Sequence, residues 1–273
     1  MDNTLITFPN YAGMKKMAEY LNSCIGQNES QKACAFLDGW YYAAKGFIPP
    51  EGLGWLEEAN LLLNNLMWDV VVTCKESPSE LTWSRELWLC ASLQSISPYI
   101  AMEAANSFWN GIATKAHEWE DSYGFLRWLR RDHPEWELVV VSSSDSHLYV
   151  KDDKFVYDPE YSDEGKQNRI PTSLFDISGN NIFVGDPISK PRPEFWERVL
   201  TNIGYNQRED TAIMVGDSYS ADIIGVSQFG IIPILIDREG ETKKSNVPEA
   251  KHVINNFCAL QDIIENLEKT RSG

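Results

Sequence analysis

Two carboxylates stand five residues apart in Met214-Val215-Gly216-Asp217-Ser218-Tyr219-Ser220-Ala221-Asp222, on the turn between a short apolar run and a helical one. Carboxylates placed this way offer the hard oxygen ligands that a divalent cation takes. Asp217 by itself would serve equally well as a helix cap. Lys190-Pro191-Arg192-Pro193 also follows an apolar run and opens a helix. An ammonium group there would offset carboxylates and a transferring phosphoryl group, although an isolated loop lysine is ordinarily just solvated. Ser142, with Ser143 beside it, comes directly after Val139-Val140-Val141 and presents a hydroxyl where a substrate oxygen would lie. Serines after strands are also common turn residues. Asp2 and Thr4 add a carboxylate and a hydroxyl at the start of the chain. Carboxylates and a phosphate repel one another, so a cation and one lysine would have to supply the compensating charge.

The elements needed to position these groups are legible. From Pro9 to about Trp119 the pattern is helical and aromatic-rich, with Tyr11, Met14, Met17, Ala18 and Leu21 and then Cys34, Leu37, Trp40, Tyr41 and Ala44 recurring at three and four. A third helix is expected within Leu53 to Val72, a fourth from the Ser77-Pro78-Ser79-Glu80 capping box to Leu93, and a fifth from Pro98 to near His117. No strand is expected in this block. After it, a helix from Tyr123 to Arg131 leads into strands at Leu138–Val141, Asn181–Val184, Ala212–Val215 and Ile231–Ile236. Helices at Pro193–Ile203, Ala221–Gln228 and Ala259–Lys269 alternate with these strands. Such alternation implies a parallel sheet with helices on its faces, and sheets of this kind bind ligands at the carboxyl ends of their strands. Leu148-Tyr149-Val150 and Phe155-Val156-Tyr157, around a polar turn, read as a hairpin.

Composition narrows the partners. The chain has 273 residues, 24 Lys+Arg against 40 Asp+Glu, and a formal charge of −16. A field of that sign repels the phosphate backbone, so nucleic acid is not an expected partner, and any phosphate site must be made positive locally. Five widely spaced cysteines without a Cys-x-x-Cys pair point away from a disulfide framework and toward a reducing compartment. No leader pattern or apolar run near the ~18–20 residues of a membrane helix is present, and the expected location is the cytoplasm. There is no Gly-x-x-x-x-Gly-Lys-Ser/Thr, Gly-x-Gly-x-x-Gly, Gly-x-Ser-x-Gly or His-Glu-x-x-His motif.

Taken in order, the four segments resemble the haloacid dehalogenase (HAD) superfamily, whose members are mostly phosphatases. Met1-Asp2-Asn3-Thr4-Leu5 is similar to the tail of its Asp-x-Asp-x-Thr motif, Ser142 to its second motif, Lys190 to its third, and Asp217 with Asp222 to its fourth. The resemblance implies an α/β fold: a Rossmann-like parallel sheet core, residues 1–9 and 119–273, with an all-helical cap inserted at residues 10–118. It implies catalytic roles for Asp2 as general acid/base, Thr4 as a brace, and Ser142 and Lys190. Ser142, Ser143 and Lys190 would bind the substrate's phosphoryl oxygens. Mg²⁺ would be held by Asp2, Asp217 and, as a ligand or a support, Asp222. The implied activity is Mg²⁺-dependent hydrolysis of a small phosphorylated metabolite through an aspartyl-phosphate.

One departure is large. The family's nucleophile is the first Asp of Asp-x-Asp, and that place would lie before Met1, together with a central strand of ~5–6 residues. Losing that strand would leave neighbouring backbone groups unpaired at ~1–3 kcal/mol each. The expectation is therefore an N-terminally incomplete sequence with Met1 the middle residue of Asp-Met-Asp. The alternative is a catalytically inactive HAD-like binding or regulatory protein. The segment from Asp145 to Phe175 reads as a surface insertion. Seven of the ten tryptophans (Trp40, Trp55, Trp68, Trp83, Trp88, Trp109 and Trp119) lie in or beside the expected cap, most of them as its core. The sequence carries no signal for oligomeric state.

Overall fold

The computed structural model describes residues 4–44, 61–63, 65–75, 81, 84–93, 96–168, 181–240 and 242–271. Its first elements are α1 (Asn10–Ile25), α2 (Gln27–Ala44), β1 (Val71–Val72), α3 (Arg85–Ser92), α4 (Pro98–Ala113), α5 (Glu120–Asp132) and β2 (Val140–Ser143). There follow β3 (Leu148–Lys151), β4 (Lys154–Tyr157), α6 (Pro159–Gln167), β5 (Ile182–Gly185), α7 (Pro193–Asn202), β6 (Ile213–Gly216), β7 (Ile232–Ile236), β8 (His252–Ile254) and α8 (Phe257–Arg271). The chain divides into two units, one of Met1–Phe8, Ala116–Ser143 and Ile170–Gly273, the other of Pro9–Lys115 and Ser144–Arg169. Residues 144–169, expected with the sheet, group with the helices.

In the helical unit, α1 lies along α4 at a distance that only glycine allows. A Cβ on Gly111 would fall onto the Ala12 carbonyl and 2.9 Å from Gly13 Cα. Ser84 accepts from the Leu87 amide at 3.4 Å and caps α3. Trp88 and Trp109 belong to the core, whereas Trp68 is exposed, and Trp40, Trp55 and Trp83 fall outside the described side chains. The hairpin forms as expected. Lys151 faces Lys154 across a two-residue turn whose Asp152 and Asp153 both take positive φ, the conformation that matches the twist of the strands. Glu86, 1% exposed, accepts from Ser84 Oγ at 2.7 Å and meets His147 Nδ1 at 3.3 Å, fastening the start of the hairpin to α3.

This unit also corrects two expectations. Val71–Val72 is a strand, pairing in parallel with Val156 and Tyr157 of β4, a partner too distant in sequence for local periodicity to show. The fourth helix begins at Arg85, and its expected start at Ser77–Glu80 lies outside the described residues.

In the other unit every pairing among the named strands is parallel. β2 pairs with β5, and β6, β7 and β8 form a second block. The strands are apolar on both faces, as parallel strands covered by helices must be. Val140, Ile213 and Val215 face a cluster with α5 and α8, while Val139, Val141 and Met214 pack with α7. Helix α5 carries Glu120 and Asp121 in its first turn and Arg130 and Arg131 in its last, complementing its dipole. The helix expected at Ala221–Gln228 is instead two short helical turns, Tyr219–Ile223 and Ile224–Phe229. The β-branched Ile223, Ile224 and Val226 disfavour a regular helix there, and Gly230 at φ +70° ends it. The short strand β8 was not expected from the sequence. No helix among the described residues is long and apolar enough to cross a membrane.

Two outcomes follow from this packing. Gly111→Ala forces α1 and α4 apart and is expected to destabilise the protein by about 1–3 kcal/mol, read as a fall of several degrees in Tm. At the junction of α5 and α8, Trp136 Nε1 donates to Glu268 at 2.8 Å and His133 approaches it at 2.9 Å. The Trp136 hydrogen bond, with help from His133, holds the Glu268 carboxyl below its ordinary range. A depressed carboxylate stabilises the fold above its unfolded pKa and loses that contribution as pH falls through the folded one. Glu268→Gln is therefore expected to flatten the acid limb of a Tm-against-pH profile and leave its shape at neutral pH unchanged.

Candidate functional site

The expected site residues that are described all belong to the sheet-bearing unit, and Ser142, Ser143, Lys190, Asp217 and Asp222 lie at the carboxyl ends of β2, β5 and β6 or in the segments that follow them. Ser142 and Ser143 close β2, in register with Val184 and Gly185 of β5, and Ser142 is buried. Thr4 is also buried, and Asp217 follows β6 directly. Asp2 lies outside the described residues.

Two contacts tie these groups together. Thr4 Oγ1 donates to Asp217 Oδ1 at 3.3 Å, joining the beginning of the chain to the β6 turn. Lys190 Nζ donates to Asp222 Oδ1 at 2.5 Å, and both side chains are at most 5% exposed. The other Asp222 oxygen accepts from the Ser218 amide at 3.1 Å. Asp222 is thus already engaged at both oxygens and braces Lys190 and the 217–218 turn together. Gly216 makes this possible, because a Cβ there would collide with the Asp222 carboxylate. A buried lysine and carboxylate persist only when paired and hydrogen-bonded, which is what is seen.

Two arginines that the sequence did not single out hold the loops around these groups. Arg198, on α7, donates to the carbonyls of Val184 at 2.8 Å and Asp186 at 3.0 Å, satisfying the end of β5. Arg238, just after β7, donates to the Thr4 carbonyl at 2.8 Å, to Asp121 at 2.5 Å and to Ser122 at 3.1 Å. Asp121 also accepts from the Phe257 amide at 2.8 Å, so one carboxylate joins α5, α8 and the Arg238 loop. Neither arginine lies in a motif; the only available signal was the place of Arg238 just beyond an apolar strand. Asp237 beside it is partly buried, which raises its carboxyl, but amide donors from Thr242, Gly240 and Glu239 outweigh that and hold it below its ordinary range.

The donors around Asp217 are carboxylate and hydroxyl oxygens, the hard ligands that suit Mg²⁺ and not a soft metal. A carboxylate-held cation beside a buried ammonium can bind a phosphate dianion.

Residues 187–260 match the family model described as HAD-hyrolase-like (Hydrolase_like). No curated protein matches the chain. Among solved structures it is similar to a 2-haloacid dehalogenase from Pseudomonas syringae pv. Tomato DC3000, at 15% identity and TM-score 0.57, over 98% of this chain and 96% of that one. It is similar to a HAD phosphatase from Thermococcus onnurineus at 16% identity and TM-score 0.51, over 97% and 94%. A magnesium-bound HAD-hydrolase, YfnB from Bacillus subtilis, is similar at 14% identity and TM-score 0.53, over 96% and 95%. The match to the family model thus covers residues 187–260, and the fold is shared with these solved structures over nearly the whole chain.

Proposed function

We propose that the protein is a Mg²⁺-dependent HAD-type hydrolase of a small phosphorylated metabolite. The observation that carries this reading is the buried Lys190–Asp222 pair, whose Asp222 accepts from the Ser218 amide beside Asp217. It supports the reading because an ammonium and the Asp217 carboxylate are the two charges that a phosphoryl group and a cation require. The magnesium-bound and phosphatase structures of the same fold support it.

In this reading Asp217 holds Mg²⁺ together with Asp2, and Asp222 supports the site by orienting Lys190. Magnesium, when bound, neutralises developing charge on the phosphoryl group. Lys190, with Ser142 and Ser143, binds the phosphoryl oxygens. Thr4 holds the Asp217 loop, and Asp2 protonates the leaving oxygen and then takes a proton from the attacking water. The attacking carboxylate would be an aspartate two residues ahead of Asp2. Its oxygen bonds to phosphorus as the ester oxygen leaves, and water then releases inorganic phosphate from the aspartyl-phosphate.

The test is hydrolysis of p-nitrophenyl phosphate with Mg²⁺ or EDTA, by the 273-residue chain and by a form extended with an apolar strand ending in that aspartate. The extended form is expected to turn over only with Mg²⁺, and Asp217→Asn within it to lose about 10²–10³ in kcat. An extended, folded form without activity on any phosphoester, yet binding inorganic phosphate with Mg²⁺, would favour the binding or regulatory reading.

Asp222→Asn separates the brace from the chemistry. It strands a buried lysine, and is expected to destabilise the fold by about 3–5 kcal/mol in denaturant unfolding as well as weaken phosphate binding.

A further inference from the structure

Three side chains that can ligate a metal converge ahead of the amino end of β2, at the other end of that strand from Ser142 and Ser143. His133 Nδ1 lies 2.9 Å from Glu268 Oε1 and 3.8 Å from Glu135 Oε1, and one donor atom from each residue lies within 4.8 Å of the other two. Glu268 comes from α8, 135 residues from His133 in the chain, and all three residues belong to the sheet-bearing unit. Nδ1 carries at most one proton, so it can hydrogen-bond to only one of the two carboxylates well, and carboxylates held this close repel each other. A divalent cation answers both carboxylates and the imidazole lone pair at once. The net charge of −16 favours its approach.

We infer that His133, Glu135 and Glu268 form a Zn²⁺ site that clamps the connection between α5 and β2 to α8. The donor set selects the ion: imidazole with carboxylates suits zinc, whereas Mg²⁺ and Ca²⁺ take oxygen ligands. Donors bound at ~2.0–2.2 Å around a tetrahedral ion lie about 3.4 Å apart, and the observed 2.9 and 3.8 Å straddle that spacing. Zinc takes the place of the proton between His133 and Glu268, so the ring must bind neutral through Nδ1. Three protein donors leave the fourth position to water, and Glu135, with a side chain 63% exposed, opens the cluster to solvent. The groups around the donors hold them in place, as in metal sites generally. The Trp136 amide donates to the His133 carbonyl at 3.1 Å, closing the turn that carries both His133 and Glu135. Trp136 Nε1 donates to Glu268 Oε1 at 2.8 Å, and the Trp128 ring packs on the imidazole with centroids 4.3 Å apart. None of the proposed hydrolase residues takes part, so this site does not rest on that reading.

The test is titration of the EDTA-stripped 273-residue chain with ZnCl₂ and, separately, MgCl₂, by calorimetry and by Tm, on protein that shows a cooperative thermal transition. Zn²⁺ is expected to bind at one equivalent with a micromolar Kd and to raise Tm by several degrees once it exceeds that Kd about a hundredfold. His133→Gln and Glu135→Gln are each expected to weaken zinc binding at least about tenfold, whereas Asp217→Asn leaves it unchanged. Glu135 is exposed, so its variant keeps the metal-free Tm and carries the test even where His133→Gln lowers stability. Zinc binding that survives Glu135→Gln would place the ion elsewhere, on Asp217 or a cysteine, and overturn the site. Failure to bind at about 100 μM Zn²⁺, or an equal affinity for Mg²⁺, would overturn it as well and leave the cluster a plain His133–Glu268 ion pair.

Discussion

A lysine and an aspartate buried against each other beyond β6 set the terms for the loops around them. Lys190 and Asp222 are each at most 5% exposed, so neither can stand charged without the other. Their pairing ties the loop after β5 to the turn after β6, two segments from different blocks of the sheet. The second Asp222 oxygen takes the Ser218 amide, which leaves the neighbouring Asp217 turned toward Thr4. Gly216 is required because the space of its missing side chain is where the Asp222 carboxylate lies.

Around that pair the arginines act as fasteners. Arg198 satisfies carbonyls at the end of β5, and Arg238 joins Thr4 to α5 through Asp121. Each is an extended, planar donor that reaches two or more acceptors at once, which a lysine does less well. They hold in place the loops that carry the candidate chemistry, without themselves belonging to it.

The parallel architecture was legible because strands buried on both faces read as continuous apolar runs. Val139-Val140-Val141 and Ile231–Ile236 stand out, and the observed strands differ from the expected ones by only a few residues at their ends. The weaker elements were not legible. Two-residue β1 exists only because β4 is beside it, and the helix expected after Asp217 breaks into two turns where β-branched residues and the Asp222 brace meet. The 144–169 segment carried a hairpin signal but nothing that says which unit it joins. That is settled within the helical unit by contacts such as Glu86 with His147, 61 residues apart.

By itself the sequence determined the alternation of strand and helix, the strongly acidic surface and the residues whose chemistry suits a cation and a phosphate, because these depend on local pattern and residue type. Tertiary structure alone decided which carboxylate pairs with Lys190, leaving Asp217 to Thr4, and that Arg198 and Arg238 hold the loops. Each of these depends on groups far apart in the chain meeting in a buried place, where the cost of an unpaired charge selects the partner.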